Sequence, residues 1–472
     1  MKAGSYQKVN IVLASQLNFL TRYIIMEFLF TLCVMFLAGC GNGVALPQTQ
    51  SQTTLAKDAC PCAYPEYWPY TIASPKYPFL VHYRSPDELE TARKIITYLD
   101  AAWQRQIIEQ GYEPPPSDSG VCGPDGRFDV FIRRGVNSCK VDLITEELVT
   151  RWGGRASYMQ VDPWGDYGGD KLSATIAHEF NHASHAANDW YDLPISFEMS
   201  ASYVDQFYGP QDVRDILDFQ KHPEWGLLRD DSYLTYYMYG SALYLHFLRD
   251  RYFGVDDSFV PQLWVKMRNT PDLLINKPNF VDAFNSLLIS TGAVFGECPF
   301  LNTVPEFARW RYYAGDRKDS RHFRNLNDDR RHSGLPPVPQ EWQMAFITQA
   351  TLPITGVTMP LPYDIYEFDP APMMTGTVYL TVHRQNASQT SFQLSLVIQS
   401  APAVRWVIQA VPGIVEGSDG ETVDLSSETA RILFASDGSR TLIITALPAL
   451  ASGFDPNFQT AFRYPVSVRI TP

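Results

Sequence analysis

Three of the nine histidines in this 472-residue chain lie within eight consecutive positions, residues 178–185. Two of them, His178 and His182, are four residues apart in the sequence His-Glu-Phe-Asn-His, with Glu179 between them. Side chains four residues apart on an α-helix project from one face, so both imidazoles can reach the same point. Imidazole nitrogens bind Zn²⁺, and an adjacent glutamate can hold a water beside the metal. The motif therefore predicts a packed helix that carries part of a zinc site.

A third protein ligand is needed, because a zinc ion that takes part in chemistry usually has three protein ligands and one open position. Glu198 follows the motif by sixteen residues, near the start of a second predicted helix at 195–208. An antiparallel second helix would bring this carboxylate back to the histidines, so Glu198 is the predicted third ligand. His185 is expected behind the ligands or at the rim of the site. Asp189 and Asp192 are too near the motif along the chain to fold back onto it.

The segments around the motif predict an α+β fold. Before the motif, we expect strands at 77–83, 128–133 and 156–161, with a helix from a capping box at 85–88 to about Gln110. Asp170 is the expected N-cap of the motif helix. Residues 171–315 have helical periodicity, and 316–332 form a charged linker. Six β-rich segments then predict an antiparallel β-sandwich: 378–383, 391–398, 405–410, 430–435, 440–445 and 464–470.

The N-terminus predicts export. Three basic residues precede an apolar run at 23–36, which ends in Leu37-Ala38-Gly39-Cys40. This ending resembles the lipobox of bacterial lipoproteins, in which the cysteine becomes the lipidated first residue. The resemblance implies an exported bacterial lipoprotein, anchored through Cys40 on the periplasmic or cell-surface side of a membrane. Residues 41–58 have the composition of a tether. An ordinary cleaved signal peptide or an anchor helix remains the alternative.

The cysteines allow several pairings if the chain is exported. Cys122 and Cys139 flank a strand-containing segment and are the preferred pair. Cys60 and Cys62 are separated by one residue, so a bond between them would be strained. Either of them can instead pair with Cys298 or remain free. The net charge of −13 argues against a nucleic-acid partner, since such partners are held by basic surfaces.

The zinc motif followed by Glu198 resembles the gluzincin metallopeptidases, whose third zinc ligand is a glutamate on the next helix. More narrowly, residues 77–315 are similar to a group of secreted bacterial metalloproteases that carry β-sandwich modules. The segments that resemble this group are His-Glu-Phe-Asn-His, Phe197–Tyr203, Tyr239–Ala242 and Phe307–Trp310. The resemblance implies a zincin-like domain, with a small β-sheet plus a helical subdomain, followed by the sandwich. The implied organisation is a signal peptide at 1–39, a lipidated cysteine and tether at 40–62, a metallopeptidase domain at 63–335 and a β-sandwich at 341–472.

The resemblance also implies an activity, namely zinc-dependent cleavage of peptide bonds within proteins or peptides. Glu179 would take the proton of a zinc-acidified water and pass it to the leaving amine. Tyr239 is the first candidate to stabilise the oxyanion, and Tyr203 is the second. By analogy, the strand at 156–161 would hold an extended substrate by edge pairing.

Two positions depart from the family pattern. Met199 stands where the similar proteins usually have glycine, and Ser202 stands where thermolysin-like relatives place an aspartate that orients a ligand histidine. A hydroxyl accepts the imidazole N–H but supplies no charge, which would weaken the zinc site. Asp205, on the same helical face, can compensate.

Two other functions remain open from the sequence. The chain can be a non-catalytic surface lipoprotein whose C-terminal sandwich binds a glycan or a protein. Alternatively, the zinc motif can serve hydrolysis of a bond other than a peptide bond. The intact Glu179 favours an enzyme, because a structural zinc site has no need of that base. The sequence makes no prediction of the oligomeric state.

Overall fold

The architecture is taken from a computed structural model of the whole chain, which divides into two compact units, residues 1–67 and 68–472. It describes residues 65–135, 139–143, 150, 152–166, 168–209, 213–229, 235–254, 256–269, 276–294, 296–324, 351–358, 363–368, 375–398, 404–413, 419–424, 429–448 and 464–471. The predicted signal peptide, Cys40, the tether, Cys60 and Cys62 therefore lie outside the described residues. Within the described residues, no helix is long and apolar enough to span a membrane.

A five-stranded mixed sheet opens the second unit. Its strands are β1 (Tyr70–Ala73), β2 (Phe79–Tyr83), β3 (Phe128–Ile132), β4 (Cys139–Leu143) and β5 (Ser157–Val161), in the order β1-β2-β3-β5-β4. The central strands β2, β3 and β5 are parallel, whereas β1 and β4 pair antiparallel at the two edges. The three strands predicted here are confirmed. The two edge strands, β1 and β4, were missed, although Cys139–Leu143 alternates apolar and polar residues.

The helix predicted from 85–88 to about Gln110 is confirmed, and its α-helical part is α1 (Leu89–Trp103). The predicted capping box is only partly formed, because Glu88 Oε2 accepts from the Arg84 backbone and not from that of Ser85. Ser85 Oγ accepts a hydrogen bond from the backbone of Asp87 within a short 3-10 turn that leads into α1. The helical path then continues as π-helix to Gln110 and stops at Gly111, whose φ of +85° favours glycine. Apolar residues of α1 pack on the sheet together with those of the motif helix.

The motif helix, α2 (Leu172–Asn188), is confirmed, but its predicted N-cap is wrong. Gly169–Lys171 form a 3-10 turn that runs directly into α2, so Asp170 already has a helical backbone. The N-cap position requires a non-helical residue, and that residue is Gly168, two positions before Asp170.

The remaining helices build the largest apolar core of the unit. They are α3 (Pro194–Asp205), α4 (Val213–Lys221), α5 (Tyr237–Gly240), α6 (Ala242–Leu248), α7 (Phe259–Met267), α8 (Phe280–Ser290) and α9 (Pro299–Tyr312). Of these, α3 packs against α2, and α7 also contacts α2. The helical stretch predicted for 171–315 is therefore confirmed in the described residues.

Two sheets form the C-terminal part. One has the order β11-β10-β13-β8-β6 and the other β12-β9-β14-β7, and side chains from both sheets share one core. The strands are β6 (Thr355–Thr358), β7 (Tyr363–Phe368), β8 (Thr377–His383), β9 (Ser391–Ile398), β10 (Val404–Val411), β11 (Glu421–Thr422), β12 (Thr429–Leu433), β13 (Ser439–Pro448) and β14 (Tyr464–Thr471). All six predicted segments are strands. The sandwich is not purely antiparallel, because the chain crosses to the other sheet between β6 and β8, which pair parallel.

The sandwich shares a core with the helices and does not stand apart from them. Ala308 of α9 packs with Tyr379 and Ile443 from the sandwich, and the Tyr379 hydroxyl donates to the Ala308 carbonyl at 2.6 Å. Gly376 has no room for a side chain, since a Cβ there would lie 2.1 Å from the Glu224 carbonyl oxygen. The fold is thus α+β, with both parts in one compact unit. Of the linker predicted at 316–332, residues 316–324 are described, and they pack against the unit with His322 and Phe323 buried, so the prediction of a linker is wrong there. Residues 325–332 lie outside the described residues.

The structure shows the bonding state of two of the cysteines, Cys298 and Cys122. Cys298 is a buried free thiol, so the suggested pairing with Cys60 or Cys62 is wrong. Cys122 is in a disulfide, and the side chain of its predicted partner, Cys139, lies outside the described set. That pairing therefore stays a prediction.

Candidate metal centre

The three predicted ligands meet where α2 packs against α3. Glu198 Oε2 lies 3.1 Å from His178 Nε2 and 3.6 Å from His182 Nε2. Within the described part of the chain, these side chains form the group of three whose ligand atoms all lie within 4.8 Å of one another. The glutamate has returned to the motif because α3 folds back on α2, as the sixteen-residue separation suggested.

These distances fit a zinc ion. A tetrahedral zinc with bonds of about 2.1 Å places its ligand atoms about 3.4 Å apart, and the two measured separations fall on either side of that value. Two imidazoles and one carboxylate are also a donor set that zinc enzymes use. The third separation, between the two histidine nitrogens, is within 4.8 Å. The described residues can therefore hold Zn²⁺ after a side-chain adjustment of up to about 1 Å.

Opposite charges stabilise the metal-free cluster. Burial raises the pKa of Glu198, but His182 and His178 outweigh it and bring that pKa down to about 2. Burial lowers the pKa of His178, but hydrogen bonds to Asp205 and Glu198 outweigh it and raise that pKa well above its ordinary value. Glu198 is therefore anionic and His178 holds a proton, so a metal ion must displace that proton to bind.

Asp205 supports the first ligand histidine. Its Oδ2 lies 3.1 Å from His178 Nδ1, while the Nε2 atom of the same ring faces Glu198. A carboxylate at Nδ1 fixes the orientation of the ring and makes it a stronger donor to a metal. Asp205 thus stands where it can compensate for Ser202, as the sequence suggested.

A different group supports the second ligand histidine. His182 Nδ1 lies 3.3 Å from His185 Nδ1, and His185 Nε2 lies 3.0 Å from Ser200 Oγ. The His185 ring stacks on Trp264 with centroids 3.8 Å apart. Burial and the neighbouring His182 and His178 lower the pKa of His185 well below its ordinary value, so the ring is neutral. Of the two positions expected for His185, the one behind the ligands is observed and the one at the rim is not, because the ring is fully buried against His182 and Trp264.

The two catalytic residues suggested by the sequence lie near this cluster. Glu179 follows His178 on α2 and is 9% exposed. The half-buried ring of Tyr239 lies 5.9 Å from that of His178 and is nearly parallel to it. Tyr203, the second tyrosine candidate, is fully buried, and its hydroxyl donates to Asp257 at 2.6 Å. That hydroxyl supports the helix packing instead of facing the cluster.

The prediction that the strand at 156–161 binds substrate through an open edge is wrong. β5 is paired on both sides, with β3 and with β4, so its backbone has no open edge. The edge beside α2 belongs to β4, which contacts that helix. Because β4 was not predicted from the sequence, substrate binding was assigned to the neighbouring strand, β5.

Two acids after α2 are held away from the metal centre. Asp192 Oδ2 accepts a hydrogen bond from the Phe280 backbone at 2.9 Å, and Asp189 Oδ2 accepts one from Asn269 at 3.0 Å. Burial and the nearby Asp192 raise the pKa of Asp189 to about 8. Both carboxylates serve the packing of α7 and α8, consistent with their exclusion as ligands.

Sequence reasoning did not foresee Ser200 and Trp264. Trp264 lies 64 residues beyond Ser200, and its indole N–H donates to the serine Oγ at 3.1 Å. No spacing in the sequence signals that contact, because it depends on how α7 docks against α2 and α3.

Comparisons with known proteins add little. No family model and no curated protein matches the chain. Among solved structures, the chain is similar to Salmonella Typhimurium PliG, a periplasmic lysozyme inhibitor of g-type lysozyme, with 12% identity and a TM-score of 0.15. That similarity covers 25% of this chain and 98% of PliG, and it is too weak to assign a fold to the matched quarter.

Proposed function

We propose that this protein is a zinc-dependent metallopeptidase that is exported and anchored to a membrane through Cys40. The observation that carries the proposal is the convergence of His178, His182 and Glu198 within ligand distance, beside the buried Glu179. A purely structural site would use its ligands without a neighbouring base. The wider assignment to a zincin-like fold rests on the resemblance and on a mixed sheet packed against the motif helix.

Each residue at the centre has a distinct role in this proposal. His178, His182 and Glu198 would hold Zn²⁺, which when bound polarises a carbonyl group and acidifies water. Glu179 would accept the proton of the attacking water and deliver it to the leaving amine, the work of a general base and then a general acid. Tyr239, through its hydroxyl, would donate a hydrogen bond to the oxygen on which negative charge develops.

Among the described residues no strand pairs with the outer edge of β4, and this edge favours a peptide substrate. An extended peptide can add to a sheet edge through main-chain hydrogen bonds, without reliance on any one side chain. Because β4 lies against α2, a peptide paired to it would pass beside the metal ligands. A small non-peptide substrate would have no use for this edge.

The test is Glu179→Gln in the full chain, with zinc content and cleavage of a casein-type substrate measured together. We expect full zinc content and a loss of about 10²- to 10⁴-fold in cleavage rate, because only the proton acceptor is removed. Asp316→Asn makes the same change at a side chain that is 69% exposed and is the control. Undiminished cleavage by the Glu179→Gln protein would refute the proposal.

The non-catalytic alternative makes a different prediction, namely that the protein holds no stoichiometric zinc after metal-limited purification and repletion. Partner binding must then be measured on the full chain. The sandwich shares apolar contacts with α9, so residues 341–472 alone would expose part of that core.

A further inference from the structure

We propose that His185 is a positioning residue for the metal centre, which holds His182 with its Nε2 lone pair directed at the metal by accepting the His182 Nδ1 proton. The inference rests on the zinc site of the proposed function and not on the reaction that follows. It assigns a role to the third histidine of the cluster, which binds no metal itself.

The proton positions are argued from two groups, one of which can only donate a hydrogen bond and one of which can only accept. The Trp264 indole N–H can only donate, and it donates to Ser200 Oγ. The Ser196 carbonyl can only accept, and Ser200 Oγ donates its single proton to it at 2.9 Å. With that proton given to Ser196, Ser200 Oγ accepts from the atom 3.0 Å away, His185 Nε2. This arrangement places the ring proton of His185 on Nε2.

The second half of this hydrogen-bond relay, from His185 to His182, follows from metal binding. A metal held by His182 Nε2, the nitrogen that lies 3.6 Å from Glu198, leaves the ring proton of His182 on Nδ1. The atom facing Nδ1 at 3.3 Å is His185 Nδ1. With the His185 proton on Nε2, that nitrogen accepts, so the contact holds His182 in the tautomer that binds the metal.

The relay is held rigidly by two other helices. Trp264, on α7, stacks on His185 at an interplanar angle of 14°. Ser200, on α3, lies two residues beyond the ligand Glu198, so the serine that fixes His185 shares a helical turn with the third ligand. A shift of α3 therefore moves Glu198 and the support of His182 together.

The two ligand histidines thus have supports of different charge. Asp205 supplies a carboxylate to His178, whereas His185 supplies a neutral ring to His182. Partners of this kind typically contribute 10- to 100-fold to metal affinity. The neutral ring orients its ligand without adding a second buried negative charge to the centre.

The main test is His185→Phe, which keeps an aromatic ring against Trp264 but removes the acceptor. We expect its zinc Kd, measured by competition with a chromophoric chelator, to rise about 10- to 100-fold. The unfolding temperature of the metal-free protein should change little. Glu179→Gln is the control and should keep the wild-type zinc affinity. His185→Gln, which restores an oxygen acceptor, should recover part of the loss. Unchanged zinc affinity in His185→Phe would overturn the inference.

A second readout does not depend on that variant folding or on catalysis. Nitrogen NMR of the zinc-loaded wild-type protein reports whether the His182 Nδ1 proton is hydrogen-bonded, through its chemical shift and its exchange with solvent. We expect a slowly exchanging Nδ1–H, and a rapidly exchanging one would overturn the inference. If the wild type binds zinc but cleaves nothing, the peptidase proposal fails and this inference stands. A wild type that binds no zinc would overturn both.

Discussion

Two buried histidines in this molecule each lie between two carboxylates, yet only one of them belongs to the metal centre. His178 lies between Asp205 and Glu198, with both distances at 3.1 Å. His322, where the helices meet the sandwich, lies between Asp319 at 2.8 Å and Asp419 at 3.3 Å. The immediate surroundings of the two rings are nearly the same.

The difference lies in what the second carboxylate faces. Glu198 also faces His182, a group that can donate a lone pair to a metal. Asp419 instead faces the Arg309 guanidinium at 3.3 Å, a permanent cation that would repel a metal ion. His322 stacks on Tyr313, whose hydroxyl donates to the Asp419 carbonyl, and so it joins α9 to the sandwich. A histidine between two acids therefore indicates a metal centre only when a third donor converges on it.

The largest expected effect comes from neutralising one carboxylate beside each of the two histidines. Asp205→Asn should weaken zinc binding by about 10- to 100-fold, because His178 loses its charged support. Asp419→Asn makes the same change beside His322 and should leave zinc affinity unaltered. Competition with a chelator measures both variants. Equal losses in the two proteins would mean that the clusters do not differ in function.

An intermediate effect is expected at the histidine of the second cluster. His322→Phe keeps the stack on Tyr313 but removes both hydrogen bonds to Asp319 and Asp419. The unfolding free energy should fall by about 1–2 kcal/mol, since charge-assisted hydrogen bonds to partly exposed acids contribute on that scale. Chemical denaturation measures this change, and zinc affinity should not move. A loss of zinc binding would place His322 within reach of the metal centre, contrary to its surroundings.

The smallest expected effect depends on pH. Burial raises the pKa of Asp319, but hydrogen bonds from His322 and from nearby backbone amides outweigh it and hold that pKa below its ordinary value of 3.8. A lowered acid pKa stabilises the fold above the ordinary value, and this contribution is lost as pH falls through the folded-state pKa. The difference in unfolding free energy between wild type and Asp319→Asn should therefore shrink below about pH 4, by less than about 1 kcal/mol because the carboxylate is partly exposed.

The control for this titration is Asp316→Asn, at a highly exposed side chain nearby. If the difference in unfolding free energy between wild type and Asp319→Asn stays constant down to about pH 2, the charge of Asp319 does not stabilise the junction between α9 and the sandwich.

Much of the fold could be predicted because its signals are local. The start of α1 at a capping turn, the helical period of α2 and the alternation of six sandwich strands each depend on neighbours within a few residues. The missed strands, β1 and β4, are edge strands, whose sequences need not bury a full face. The parallel pairing of β6 with β8 depends on a crossover between sheets, and no local pattern encodes it.

The residues of the metal centre also divide into those that the sequence predicts and those that only the packing of helices brings together. His178, Glu179 and His182 are set by helical spacing, and Glu198 followed from the distance to the next helix. Those four positions are what the sequence by itself determined, because a helix converts spacing directly into a shared face. The tertiary structure decided between the two positions expected for His185, which is buried under Trp264 behind His182 and does not lie at the rim. It also separated the His178 cluster from the His322 cluster. These contacts join helices far apart in the chain, and only the packing of one helix on another brings their side chains within hydrogen-bond distance.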